Sequence, residues 1–177
     1  MKDEKGKLAV KDQKGDENYN VHQLIVFRQG TEEYALHIDQ IKEVVITPNV
    51  TRMPQTPSYI RGVANIRGNI IAIIDLEDKF GLKDPDEIVE KAEKDYTLVI
   101  ESEDMKIGIL VKEVPNTLAI SEKDIDDGIS SVSEGISSDK NYIKGIVKID
   151  NRLVILIDIF KVMTKNELNA SLSANVA

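Results

Sequence analysis

The stretch Tyr59–Leu76, YIRGVANIRGNIIAIIDL, is answered further along by Tyr142–Ile159, YIKGIVKIDNRLVILIDI. Aligned without a gap, six of eighteen positions are identical, seven more pair apolar with apolar, and Arg61 stands opposite Lys144. A chain that writes one unit twice is expected to fold as two like units, which excludes most architectures open to 177 residues. Each unit, of about 60–70 residues, buries too little surface to be more than marginal alone, so the two should pack around a common core. The runs IIAII and LVILI within the repeat are apolar at every position, as a strand covered on both faces requires.

The rest of the chain reads as short strands separated by turn chemistry. HQLIVFR (His22–Arg28), EEYALHI (Glu32–Ile38) and IKEVVI (Ile41–Ile46) are joined by a turn at Gln29-Gly30 and a break near Asp39-Gln40. Pro48, Pro54 and Pro57 make the next connection irregular, since proline cannot donate to a strand ladder. The first repeat then runs as a strand to Ile66, a turn at Arg67-Gly68-Asn69 with Gly68-Asn69 suited to positive φ, and a strand Ile70–Ile74. A connector, Leu82–Asp95, with six acids and three lysines, separates the halves. YTLVIE (Tyr96–Glu101) and MKIGILVKEV (Met105–Val114) restart the strand pattern, and a loop, Ser121–Asn141, leads to the second repeat with its turn at Asp150-Asn151. IKEV at Ile41–Val44 returns as VKEV at Val111–Val114, extending the likeness of the halves. Gly62 and Gly145, each inside a strand, mark a bulge or a close backbone approach of the kind that curls a small barrel. From Asp158 onward Ile159, Phe160, Val162, Met163 and Leu168 share a helical stripe.

The fold expected is mainly β: two barrel-like lobes sharing a core, about 21–82 and about 96–157. Short helices follow each repeat, the last over about 158–169, with a flexible tail at 1–20 and a frayed one at 170–177.

Most chemistry finds no footing in these residues. There is no cysteine, which removes disulfides, thiolate metal sites and cysteine nucleophiles. His22 and His37, fifteen apart, have no partner at ligand spacing, so no metal site is expected. RGVANIRGN lacks the spacing and the Lys-Ser/Thr of a phosphate loop, and Ser133 has no nucleophile-elbow context. Asp75 and Asp158 occupy matched places, like the dyad of a duplicated aspartic protease, but without its Asp-Thr-Gly turn. An aspartate where a strand meets a helix is read instead as an N-cap. The net charge of −8, the absence of tryptophan and the 5% aromatic content argue against nucleic acid, which asks for a basic, aromatic-rich surface. The N-terminal twenty residues, with five lysines and five acids, lack the apolar segment of a signal peptide, and no run reaches the ~18 apolar residues of a membrane span. The expected address is the cytoplasm, without membrane insertion and without a cofactor. A binding module remains, with rim residues such as Ile41, Val44 and Val114 available for docking.

Where the copies disagree, one half is free to carry a job. The largest mismatch sets Asn65-Ile66-Arg67-Gly68-Asn69 against Lys148-Ile149-Asp150-Asn151-Arg152. Arg67 faces Asp150, an inverted charge that the fold does not demand. The expectation is that Arg67 reaches Glu43, whose match in the second half is Glu113, and helps shape a partner-binding surface.

LIVFRQGTEEYALHIDQIKEVV followed by VTRMPQTPSYIRGVANIRGNIIAIIDLEDKFGL strongly resembles the bacterial chemotaxis coupling proteins of the CheW family. That family's pattern runs G-x-E-x-Y-A/G-x-x-I, V-x-E-I, then P-x-x-P-x-F-I-x-G-V-x-N-L-R-G-x-I-x-P-I-I-D-L. The likeness covers roughly Gln23–Thr164, with Tyr59, Ile66 and Ala72 departing from the usual Phe, Leu and Pro. It implies a single domain over 21–165 built of two five-stranded SH3-like β-barrels. It also implies a non-catalytic adaptor that joins the histidine kinase CheA, through that kinase's own CheW-like regulatory domain, to the cytoplasmic tip of methyl-accepting chemoreceptors, whether the output is flagellar or another. By match to the family's contact region, the implied binding residues are Ile41, Glu43, Val44, Gly62, Arg67 and Gly68 in the first half, and Gly108, Val114 and Thr117 in the second.

Overall fold

A computed structural model describes residues 20–83, 85–86, 94–128 and 142–173. The tail at 1–19, most of the acidic connector, the serine-rich loop at 129–141 and the last four residues lie outside the described residues. The strands are β1 (Val21–Gln29), β2 (Glu32–His37), β3 (Ile41–Ile46), β4 (Ile60–Ile66), β5 (Asn69–Ile74), β6 (Tyr96–Glu101), β7 (Lys106–Val111), β8 (Asn116–Ser121), β9 (Ile125–Asp126), β10 (Ile143–Ile149) and β11 (Arg152–Ile157). Helix α1 (Leu76–Lys79) follows the first repeat; α2 (Ile159–Val162) and α3 (Lys165–Ser173) follow the second.

Two sheets form, ordered β8-β1-β2-β11-β10-β9 and β3-β6-β7-β5-β4. Both close on themselves by the same device. In the first, β8 bends through the 3-10 turn Glu122–Asp124 into β9, which pairs with β10 at the far edge, so one bent strand borders both sides. In the second, the segment after β3 returns to β4, where Thr51 and Val63 exchange backbone hydrogen bonds of 2.8 and 2.9 Å. With β8 and β9 taken as one bent strand, each sheet is a five-stranded barrel.

The barrels are not the contiguous halves, 21–82 and 96–157, expected from the repeat. The hairpin β1–β2 leaves its own half and joins β8–β11, while β6–β7 joins β3–β5. In each barrel the halves meet at two seams, one parallel, β2 with β11 or β5 with β7, and one antiparallel, β1 with β8 or β3 with β6. A repeat shows which segments are alike but carries no information on which strand each will hydrogen-bond, and exchanging the leading hairpins makes each small barrel depend on both halves.

Three cores result. Leu24, Val26, Ala35, Val147, Val154 and Leu156 fill the β1–β11 barrel, and Ala64, Ile66, Ile71, Ile73 and Val99 fill the β3–β7 barrel. A larger cluster joins the two, with Ile25, Leu36, Ile74, Leu98, Ile109 and Ile157 among its members. Alternate residues of one strand therefore enter different cores: Ile71 and Ile73 of β5 face into the barrel, while Ala72 and Ile74 face the other lobe. The expectation that IIAII and LVILI are covered on two sides holds, except at their first residues, Ile70 and Leu153, which are exposed.

The expected bulges are present. Arg61 and Lys144 are the extra residues, between Ile60 and Gly62 and between Ile143 and Gly145. Both glycines also sit where a barrel closes, Gly62 beneath Thr51 and Gly145 beneath Asp126. Both aspartates cap as expected: Asp75 accepts from the Asp78 N–H at 3.2 Å and Asp158 from the Phe160 N–H at 3.1 Å.

Other boundaries shift. The first hairpin turn holds two residues, Arg67-Gly68, and Asn69 already pairs with Ile66. β7 stops at Val111, and an irregular connection over 112–115, ending in a proline that cannot donate to a ladder, leads to β8. Asn116–Ser121 is a strand that its polar ends disguise as loop, with Leu118 and Ile120 packed in the barrel. The C-terminal helix is two helices: Met163 is extended at φ −137°, and α3 runs past the expected end at 169 to Ser173. Its Leu168 still enters the central core with Ile159, Val162 and Met163.

Candidate functional site

The β4–β5 hairpin and strand β3 build the most distinctive surface feature. Arg67 and Gly68 both take positive φ, 51° and 84°, the two central positions of a tight hairpin turn. The Asn65 side-chain oxygen accepts from the Gly68 N–H at 2.9 Å and holds that turn. Positive φ strains a side chain as long as arginine, whereas aspartate tolerates it, and Asp150 occupies the equivalent place with φ 50°. Local structure alone would therefore favour the residue in the second repeat.

What arginine adds is reach. Its Nε donates to Glu43 Oε2 at 2.6 Å, tying the hairpin tip to β3 across the mouth of the barrel. The Arg67 side chain is 73% exposed and that of Glu43 only 19%, so the carboxylate sits inside the rim with the guanidinium laid over it.

The second barrel has its own hairpin arginine, Arg152, whose Nη1 donates to Glu33 Oε1 on β2 at 3.3 Å, but among the described residues it has no ion pair at the positions matching Arg67 and Glu43. The ladders fix the correspondence. Gly108 stands opposite Ile73 and Val99, and Ala35 opposite Leu156 and Val26. Glu43 is the partner of Val99 and Asn116 is the partner of Val26. The counterpart of Glu43 is thus Asn116, and the match of IKEV with VKEV is corrected. Glu113 lies beyond the end of β7, where it meets Arg28 at 3.4 Å. One barrel carries Glu43 and Arg67; the other carries Asn116 and Asp150.

The remaining expected site residues separate into two groups. Val44 is 40% exposed beside Glu43, and Thr117, its counterpart on β8, is exposed as well. Val114 is exposed in the β7–β8 connection, and Ile41 is half-buried against the central core. Gly62 and Gly108 are buried and present no side chain to a partner. A Cβ on Gly108 would stand 2.5 Å from Thr97 Cγ2 and 2.9 Å from Ile73 Cδ1, inside the barrel. These two shape the lobe that bears the surface rather than the surface itself.

Sequence reasoning overlooked the exposed apolar residues on the same elements, Ile46 on β3 and Ile70 on β5. Ile70 is 68% exposed directly after the hairpin tip. Its signal was present in the doublet Ile70-Ile71, where only one residue of the pair can face inward.

Asp75 is spoken for structurally. Beyond its cap it accepts from Arg61 Nε and Nη2 at 2.9 and 2.6 Å, and Lys83 Nζ lies at 2.9 Å. Burial alone would raise its pKa, but Lys83, the Asp78 N–H and Arg61 together hold the carboxyl below its ordinary value.

The family model for the CheW-like domain matches residues 23–167. The chemotaxis protein CheW of Helicobacter pylori is 37% identical over 164 residues, covering 92% of this chain and 94% of that protein. The chemotaxis protein CheW of Treponema pallidum is 32% identical over 149 residues, covering 82% and 84%. Among solved structures, the scaffolding protein TtCheW from Thermoanaerobacter tengcongensis matches with a TM-score of 0.65 at 30% identity, over 79% of this chain and 86% of that one.

Proposed function

From the premise that this chain belongs to the CheW family of chemotaxis scaffold proteins, we propose that it is a non-catalytic adaptor coupling chemoreceptors to the histidine kinase CheA. The observation that carries the reading is the asymmetry of its two barrels. Glu43 and Arg67 bridge one rim beside exposed Val44, while the other barrel offers Asn116, Asp150 and Thr117 at the matched places; the exposed apolar residue after each tip, Ile70 or Leu153, is common to both. Two like frames with unlike rims suit a protein that must hold two different neighbours.

In this reading the barrel bearing Arg67 meets the kinase's CheW-like regulatory domain or the receptor tip, and the second barrel, through Val114 and Thr117, meets the other. The site is cytoplasmic because the receptor tip is. An adaptor without a reaction of its own works by binding the kinase's active and inactive arrangements unequally, and a coupling of ~1–3 kcal/mol changes activity several-fold or more.

Co-sedimentation of the chain with receptor fragments and kinase tests this. Arg67→His and Glu43→Lys should each reduce assembly and kinase activation while leaving the fold intact, since an exposed ion pair contributes at most ~1 kcal/mol to stability. Unchanged assembly and activity in both variants would defeat the assignment. The exchange Glu43→Arg with Arg67→Glu asks a finer question: recovery to wild type means the pair only braces the rim, and continued loss means a partner reads the charges directly.

A further inference from the structure

His22 and His37 are the chain's two histidines, and the fold brings together what the sequence keeps fifteen residues apart. Leu24 stands opposite His37 in the β1–β2 hairpin, so His22 lies diagonally across from it. Both take the strand face of Leu24, Val26 and Ala35, which points into the β1–β11 barrel, and both are half-buried at its end. Their ring centroids are 5.3 Å apart at an interplanar angle of 68°.

That separation has a chemical meaning besides packing. Two imidazoles that each give one nitrogen to a tetrahedral zinc, at about 2.0–2.1 Å per bond, have their centroids about 5 Å apart. The centroid spacing of the two rings therefore matches that of a pair sharing one ion. We propose that His22 and His37 form a two-imidazole site for a divalent transition ion of the zinc or nickel class, with water completing the coordination. Imidazole suits these ions, and the chain has no thiolate to compete for them.

Two features set the strength of the site. Among the described residues no group of three or more histidines and carboxylates could hold a metal, so the protein supplies only two ligands and the ion exchanges readily. Lys144 lies near enough to act on His37 electrostatically and opposes a bound cation. Burial first, then Lys144 and His22, push His37 below the ordinary imidazole value against the pull of Asp39.

The test is calorimetric titration of the untagged chain with zinc chloride, and with magnesium chloride as the hard-cation control. Wild type should bind one zinc per chain and no magnesium. His22→Gln and His37→Gln should each weaken zinc binding at least about ten-fold, since either leaves a single imidazole. Lys144→Gln retains both ligands and should bind zinc more tightly, which keeps the test open even where a histidine variant loses stability. A zinc-induced rise in Tm, present in wild type and absent in the histidine variants, reads the same site independently. No zinc uptake by wild type, uptake unaltered in both histidine variants, or affinity unaltered by Lys144→Gln overturns the proposal.

Discussion

Gly62→Ala isolates the point at which one barrel closes. Gly62 has φ +143°, and a Cβ built on it would stand 2.1 Å from the Thr51 carbonyl oxygen and 2.7 Å from its carbon. Both are backbone atoms, so no side chain can swing aside to make room. The methyl group strains the backbone by about 1–3 kcal/mol and pushes Thr51 off Val63, disrupting two hydrogen bonds at about 1 kcal/mol each. The expected loss is about 3–5 kcal/mol, a large share of a total stability of about 5–15 kcal/mol. The second repeat supplies the control. Gly145 is not in the left-handed region, and the nearest atom to a Cβ there is the Ile125 Cγ2 methyl at 2.8 Å, a side chain that can yield, followed by the Asp126 oxygen at 3.0 Å. Gly145→Ala should therefore cost about 1–2 kcal/mol, the range of mild overpacking. Urea unfolding of both variants measures the difference directly, with the slope unchanged if only stability has moved. Amide exchange at Thr51 and Val63 should quicken in Gly62→Ala alone. A cost within about 1 kcal/mol of wild type, or no greater than that of Gly145→Ala, would refute the account of closure.

Asp75→Asn should keep the cap but strand Arg61 and Lys83 beside a neutral amide, costing about 1–3 kcal/mol at neutral pH. Because the native carboxyl titrates below its ordinary 3.8, its contribution is full above that value and lost as pH falls through the lower native pKa, so wild type and variant should converge in acid; a stability gap that persists undiminished there would contradict this. Tyr34, pushed up to about 12 by burial, then by Tyr142 and Glu32, should give a phenolate absorbance step near that pH that Tyr34→Phe removes, and stability it contributes should fade as pH rises from 10.0 through about 12. A Tyr34 midpoint near 10 would mean that the ring is more open to water than the β2 packing indicates.

The features legible in the sequence are those that periodicity and local chemistry encode. The apolar runs around Ile73 and Leu156 announced strands covered on two faces, Asp75 and Asp158 announced caps, and Gly62 and Gly145 announced bulges. The inverted charge at Arg67 and Asp150 led to the contact with Glu43. What stayed hidden is the identity of ladder partners. Side-chain pattern tells which face of a strand is buried but not which edge meets which neighbour, and the seam that sets Glu33 beside Val154 joins strands from opposite ends of the chain. The same blindness matched Glu43 with Glu113, because four similar letters stood in for a register, and it left His22 and His37 as unrelated residues.

That hidden exchange bears on how an adaptor of this shape transmits force. Each barrel contains a hairpin from the other half of the chain, and parting the two barrels means exposing the central core they share. Leu36, Ile74, Leu98, Ile107, Ile109 and Ile157 in that core are at most 1% exposed, and each contributes about 1.5–3 kcal/mol by its burial. A hinge needs a thin, wet or sparsely packed connection, and that core is none of these. The lobes are accordingly expected to move as one body. A displacement imposed on one barrel would then reach the other by rigid rotation, with no change of state inside this fold.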